Sequence, residues 1–227
     1  MGMERARSMQ EEWETTASKP LQGDVAAQLE AIAEEIRVCT KCELCKMRTK
    51  AVPGDGPVDA PILFIGEAPG FHEDQHGRPF IGAAGNLLND LLASVGIERS
   101  QVFITNLVKC RPPGNRDPLP DEINTCTSNY LDRQIALINP RLIVAIGRHS
   151  MARFFPGEKI MKIHGQPKRE TGRIYFPMVH PAAALHQPAF MEHVKEDVKK
   201  IPALLEEAKA MAAPTSDEEP PAQLSLF

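Results

Sequence analysis

Short apolar runs alternate with helical stripes along the middle of this chain, and that alternation leaves few folds open. Pro61-Ile-Leu-Phe-Ile-Gly66 is apolar throughout and ends in a Gly/Pro turn, as a strand buried on both faces does. Val102–Asn106, Leu142–Ile146 and Ile174–Val179 repeat the pattern. Between the first two, Leu87, Leu88, Leu91, Leu92 and Val95 recur at helical spacing and stop at Gly96, a natural residue just past a helix end. Val25, Leu29, Ile32, Ala33 and Ile36 mark an earlier amphipathic helix over 24–37. Pro120–Ile138 reads as another helix, and a last one is expected over 190–208. Repeated strand-helix units predict an α/β fold, a three-layer α/β/α domain with a four-stranded, mostly parallel sheet. Such sheets bind ligands at the carboxyl ends of their strands. The polar motifs fall there: Gly66-Glu-Ala-Pro-Gly70 after the first strand, Asn106 ending the second, His180 after the fourth.

A chain of 227 residues with 42% hydrophobic side chains supports one sizeable core. One domain over 24–208 is expected, preceded by a disordered tail over 1–23 and followed by a disordered linker over 209–222, rich in Pro, Ala and acid. The N-terminus lacks the apolar stretch of a signal peptide and no run is long enough to span a bilayer, so a soluble, cytoplasmic protein with no membrane partner is expected. The formal charge of −4 is concentrated in the ends. Residues 38–200 hold 21 basic and 17 acidic side chains, a balance that permits contact with phosphate.

The five cysteines are an odd number in a chain without secretory features, which argues against a disulfide framework. Cys39 and Cys42 form a CxxC pair, and Cys110 and Cys126 follow at a distance, so four thiolates from two segments suit a tetrahedral zinc or an iron-sulfur cluster. Spacing does not choose between them. Cys45 extends the pair to CxxCxxC and is read as a spare thiol, although it is spaced to replace an assigned ligand.

Three blocks narrow the reading. GEAPGFHEDQHGRPFIGAAGNLL (66–88), ITNLVKCRPPGNRDPLPDE (104–122) and VHPAAAL (179–185) resemble those of the family-four uracil-DNA glycosylases, the iron-sulfur members of the uracil-DNA glycosylase superfamily. The likeness runs from about Cys39 to residue 205. It implies a 4Fe-4S cluster on Cys39, Cys42, Cys110 and Cys126, structural in role and at one edge of the sheet. It implies a monofunctional hydrolase that acts, nucleoid-associated, on uracil-containing DNA in base excision repair, leaving an abasic site, and a monomer is expected.

Residue by residue, Glu67, Ala68 and Pro69 belong to a turn that would cradle the flipped base and abasic sugar phosphate. The bland reading of GEAPG is a tight turn after a strand. Phe80, otherwise a core aromatic, matches the ring that stacks on uracil. Asn106, otherwise a strand cap, matches the carboxamide that reads the pyrimidine. It accepts from uracil N3–H and donates to O4, and cytosine reverses both requirements. His180, otherwise structural, would donate to O2 as uracil leaves as an anion, so that it helps the transition state more than the ground state. Where the best-known uracil glycosylases carry a water-orienting aspartate, this chain has Ala68, which leaves Glu67 and Glu73 as the nearby carboxylates. From the resemblance, Glu73 also lies against uracil C5 and excludes thymine. His186 stands where the family often has Arg.

The last residues, Gln223-Leu-Ser-Leu-Phe227, resemble the bacterial sliding-clamp binding peptide, with Gln223, Leu224, Leu226 and Phe227 as the contact residues and the clamp as a partner. Two rival readings remain: a relative that grips uracil-DNA covalently, whose KRRIH insertion is missing after the second block, and a zinc-stapled scaffold without catalysis.

Overall fold

A computed structural model describes residues 25–170 and 172–211. Helix α1 (Val25–Arg37) precedes β1 (Ile62–Gly66), the short α2 (Phe71–His76) and α3 (Ala83–Ser94). Strand β2 (Val102–Asn106) leads through a long loop to α4 (Pro120–Cys126), a π-helical turn over Thr127–Leu131, and α5 (Asp132–Ile138). Then come β3 (Leu142–Ile146), α6 (Gly147–Phe154), α7 (Ile160–Ile163), β4 (Lys168–Glu170), β5 (Arg173–Met178), α8 (Pro181–His186) and α9 (Ala189–Met211).

The sheet has the order β2-β1-β3-β5-β4. The first three pairings are parallel, with Gly66 opposite Asn106 and Ile146 opposite Met178. All four parallel strands are therefore in step, and their carboxyl ends share one rim. β1, β2 and β3 are buried at every position, which is why β1 and β3 are apolar throughout rather than alternating and β2 turns polar only at Thr105 and Asn106.

Alternate residues of the strands feed two cores. Ile62, Phe64, Val144 and Phe176 pack with Leu88 and Leu92 of α3 and with Val194, Val198 and Ile201 of α9. On the opposite face Leu63, Ile65 and Ile143 pack with Leu29 of α1 and with Leu131 and Ile138. The three layers expected from the sequence are thus present.

The strand count needs correction, from four to five. β4 pairs antiparallel with β5, Glu170 opposite Arg173, across a tight turn that ends at Gly172 with φ 74°. All three β4 residues are exposed and charged, so no apolar run announces the strand. Two helix boundaries also shift. The expected single helix over Pro120–Ile138 carries the π turn, and the last helix runs to Met211, past the expected end at 208. The expected tail over 1–23, the linker beyond Met211 and the peptide 223–227 lie outside the described residues.

Candidate active site

A cleft of about 350 Å³ opens at the carboxyl rim of the sheet. Its wall brings together Glu67, Ala68, Pro69, Glu73, Phe80, Asn106 and His180, the complete set of base-pocket residues expected from the sequence. Pro112, Asn115 and Arg116, from the loop after β2, close one side.

Phe80 is buried and has φ 52°, a left-handed backbone that a bulky residue rarely adopts. Two glycines make room for it. A methyl group on Gly85 would meet the Phe80 carbonyl oxygen at 1.9 Å, and one on Gly66 would meet the Phe80 ring at 2.8 Å and Asn106 Oδ1 at 2.4 Å. Glu73 fastens the following turn, its Oε1 accepting from the backbone N–H groups of Ile81 (3.1 Å) and Gly82 (3.0 Å). The ring of Phe80 lies nearly parallel to that of His180, 5.8 Å between centroids.

Asn106 is 2% exposed, and the little surface it keeps lines the cleft. Its backbone is held from behind, where the buried Lys109 ammonium donates to the Asn106 carbonyl (2.9 Å), Thr105 Oγ1 (2.6 Å) and Gln134 Oε1 (2.8 Å). No sequence pattern flagged Lys109, because a lysine inside a polar block reads as a phosphate contact.

His180 precedes Pro181 at the start of α8. The Ala182 N–H donates to its Nδ1 (3.1 Å), so Nδ1 bears no proton and Nε2 must carry it. Burial pulls its pKa down to about 4, with a weaker opposing pull from Glu73, so the ring is neutral near pH 7. The segment before it is anchored by fully buried Asp197 of α9, which accepts from Val179 N–H (3.1 Å) and faces His164 Nδ1 (3.0 Å).

Glu67 stands beside His149 Nε2 (3.7 Å), which lies 3.5 Å from Asp117. The three side chains could gather around a cation, but Arg148 bonds to both His149 and Asp117 and brings the positive charge itself. Burial, followed by His149 and Asp117 acting in opposite senses, leaves the Glu67 carboxyl above its ordinary range. His149 lies outside the three blocks at 66–88, 104–122 and 179–185, and only the fold carries it to Glu67.

Residues 53–201 match a family model described as the uracil DNA glycosylase superfamily. The chain belongs to that superfamily. Among the relatives of this superfamily member, the type-4 uracil-DNA glycosylase of Sulfurisphaera tokodaii is 52% identical over 183 residues, which cover 76% of this chain and 83% of the relative. That of Saccharolobus solfataricus is 50% identical over 185 residues, covering 76% and 84%. That of Thermotoga maritima is 42% identical over 177 residues, covering 76% and 92%.

Away from the cleft, this superfamily member gathers all five cysteines around one hollow, with Ile36, Leu44 and Tyr130. Cys39, Cys42, Cys110 and Cys126 also pack into a small apolar core, and Cys45 lines the hollow without joining it. Donors to three of the four sulfurs suit thiolates. Lys41 N–H points to Cys39 Sγ (3.4 Å), Lys109 N–H to Cys126 Sγ (3.3 Å) and Arg48 Nη1 to Cys110 Sγ (3.1 Å). Tyr130 bonds to Cys39 as well. Burial pushes the Cys126 thiol up to about 11 and raises Cys42 and Cys110, so four thiolates would need a compensating metal charge in this hollow. The residues therefore fit a group held by four thiolates. Glu122, one turn before Cys126, pairs with Arg116 of the cleft wall (2.7 and 2.9 Å) and accepts from Leu119 N–H (2.8 Å). Cleft wall and sulfur hollow are thus parts of one loop.

Proposed function

We propose that this chain removes uracil from DNA by flipping the nucleotide into the cleft and hydrolysing its N-glycosidic bond, the first step of base excision repair. The observation that carries the assignment is the Asn106 carboxamide in one cleft with the Phe80 ring and the His180 imidazole. Its relatives are named as uracil-DNA glycosylases, and the net positive body of the domain suits a DNA substrate.

In this reading Phe80 stacks on the base while Asn106 pairs with N3–H and O4. The neutral His180, protonated at Nε2, donates to O2 as negative charge develops on the departing ring, and a neutral donor leaves uracil free to depart as an anion. Glu67 and Glu73 supply negative charge for the sugar cation, and Glu73 also bars a C5 methyl group. Ala68 and Pro69 shape the turn around the base. The test is alkali cleavage of a uracil-containing oligonucleotide after incubation. The wild-type protein should cut the strand at uracil, and His180→Ala should slow release about 10²–10³-fold with little change in binding. An intact strand, or a covalent adduct without release, would refute the hydrolase.

The thiolate-held group is a 4Fe-4S cluster on Cys39, Cys42, Cys110 and Cys126, structural in role. When bound it supplies the cationic charge that lets four thiolates share the hollow. Iron and sulfide analysis of brown protein tests this, and zinc in a colourless preparation would overturn it. The C-terminal Gln223, Leu224, Leu226 and Phe227 dock on a bacterial sliding clamp, which deletion of 223–227 should abolish without loss of activity on free oligonucleotides. The protein works as a monomer at the nucleoid. Among the described residues no helix is long and apolar enough to cross a membrane.

A further inference from the structure

Phe71 is an oddity at the mouth of the cleft. It is 54% exposed, directly after the turn that cradles the pocket, and its neighbours Gly70 and Glu73 both line the cleft. So large a ring left partly in water beside a cleft is free to pack against a ligand that enters it. Arg111, from the loop after β2, comes to it, its guanidinium 5.2 Å from the ring centroid. The Arg111 side chain is steadied by Asn115, whose Oδ1 accepts from its Nε (2.7 Å), and Asn115 also lines the cleft. Arg111 makes no ion pair with any carboxylate of the described residues, whereas Arg116 and Arg148 on the same side are both paired. Phe71 and Arg111 thus stand in contact at the rim, an aromatic surface and a cation without a carboxylate partner among the described residues, side by side next to the base pocket.

We propose that Phe71 and Arg111 form a nucleotide subsite on the rim, in which the base adjoining the flipped uracil stacks on Phe71 and its phosphate meets Arg111. The subsite rests on the cleft receiving the flipped uracil. A base next to an extruded one has lost a stacking partner, and an exposed aromatic ring replaces that contact whatever the base. The guanidinium already over the ring fixes the aromatic plane and leaves its N–H groups for the phosphate oxygens.

The test compares two single-stranded oligonucleotides, one with ordinary nucleotides on both sides of uracil and one with tetrahydrofuran abasic residues there. On the first, Phe71→Ala should raise KM about ten-fold with kcat within about two-fold of wild type, and Phe71→Trp should restore KM. On the second, wild type and Phe71→Ala should be alike. Arg111→Gln should weaken binding to the first oligonucleotide and reduce its salt dependence by about one counterion. An unchanged KM for Phe71→Ala, or an equal loss on both oligonucleotides, would overturn the subsite. Binding is also read without turnover, from quenching of 2-aminopurine placed beside the uracil. Should the wild-type protein release no uracil, the glycosylase reading fails, and the quenching alone decides the subsite: its presence in wild type and loss in Phe71→Ala supports stacking, and its absence in wild type overturns it.

Discussion

Phe80 holds a backbone conformation that costs on the order of 1 kcal/mol or more for a bulky residue, and the two glycines beside it explain how it is kept there. Gly85→Ala should destabilise the fold by about 1–3 kcal/mol, read as a lower urea midpoint at unchanged slope, and should weaken uracil binding with it, because the new methyl group and the Phe80 carbonyl cannot both stay. At Asn106 the chemistry is sharper. Asn106→Asp replaces the N–H donor by a second acceptor, so kcat/KM for uracil release should fall about a hundred-fold in the alkali-cleavage assay while the melting temperature changes little. Asn106 was legible in the sequence because a polar residue ending an apolar strand stands out. The left-handed Phe80 was not, since no neighbour in the chain calls for positive φ. The same holds for His149 and Lys109, whose partners are brought to them only by the sheet.

Elements carry the site by their ends. α9 hydrogen-bonds the segment before His180 through the buried carboxylate of Asp197, so Asp197→Ala should leave the Val179 N–H unpartnered and cost about 2–3 kcal/mol. Hydrogen exchange at 179–186 should rise more than in β1 or β3. The sequence predicted β1, β2, β3 and β5 to within a residue, because a strand covered on both faces must be apolar along its whole length. It missed β4, a charged edge strand that lies on no core, and the π turn, whose Thr-Ser-Asn-Tyr-Leu residues are compatible with ordinary helix. That wide turn separates Cys126 from Tyr130, both of which line the sulfur hollow.

For the whole molecule the neutral state of His180 has a price in acid. Its folded pKa of about 4 lies below the ordinary histidine value, so between about pH 6.5 and 4 the unfolded chain takes up a proton that the folded chain resists. Stability should therefore fall as pH drops through that window and level off below it. The check is the difference in urea midpoint between wild type and His180→Asn, which should narrow as the medium is made more acid. Removing the proposed cluster with oxidant and chelator should lower the melting temperature and raise hydrogen exchange over 111–125 while β1 and β3 stay protected. The segment between Cys110 and Cys126 lies behind that expectation. Both of its ends meet at the sulfur hollow and its middle forms the cleft wall. In polymer terms it is a ring closed at one knot, and closing fifteen residues costs about 2.4 kcal/mol of chain entropy. With the knot tied by the proposed cluster, that cost would be met before DNA arrives, and the wall would meet the nucleotide as a rigid surface.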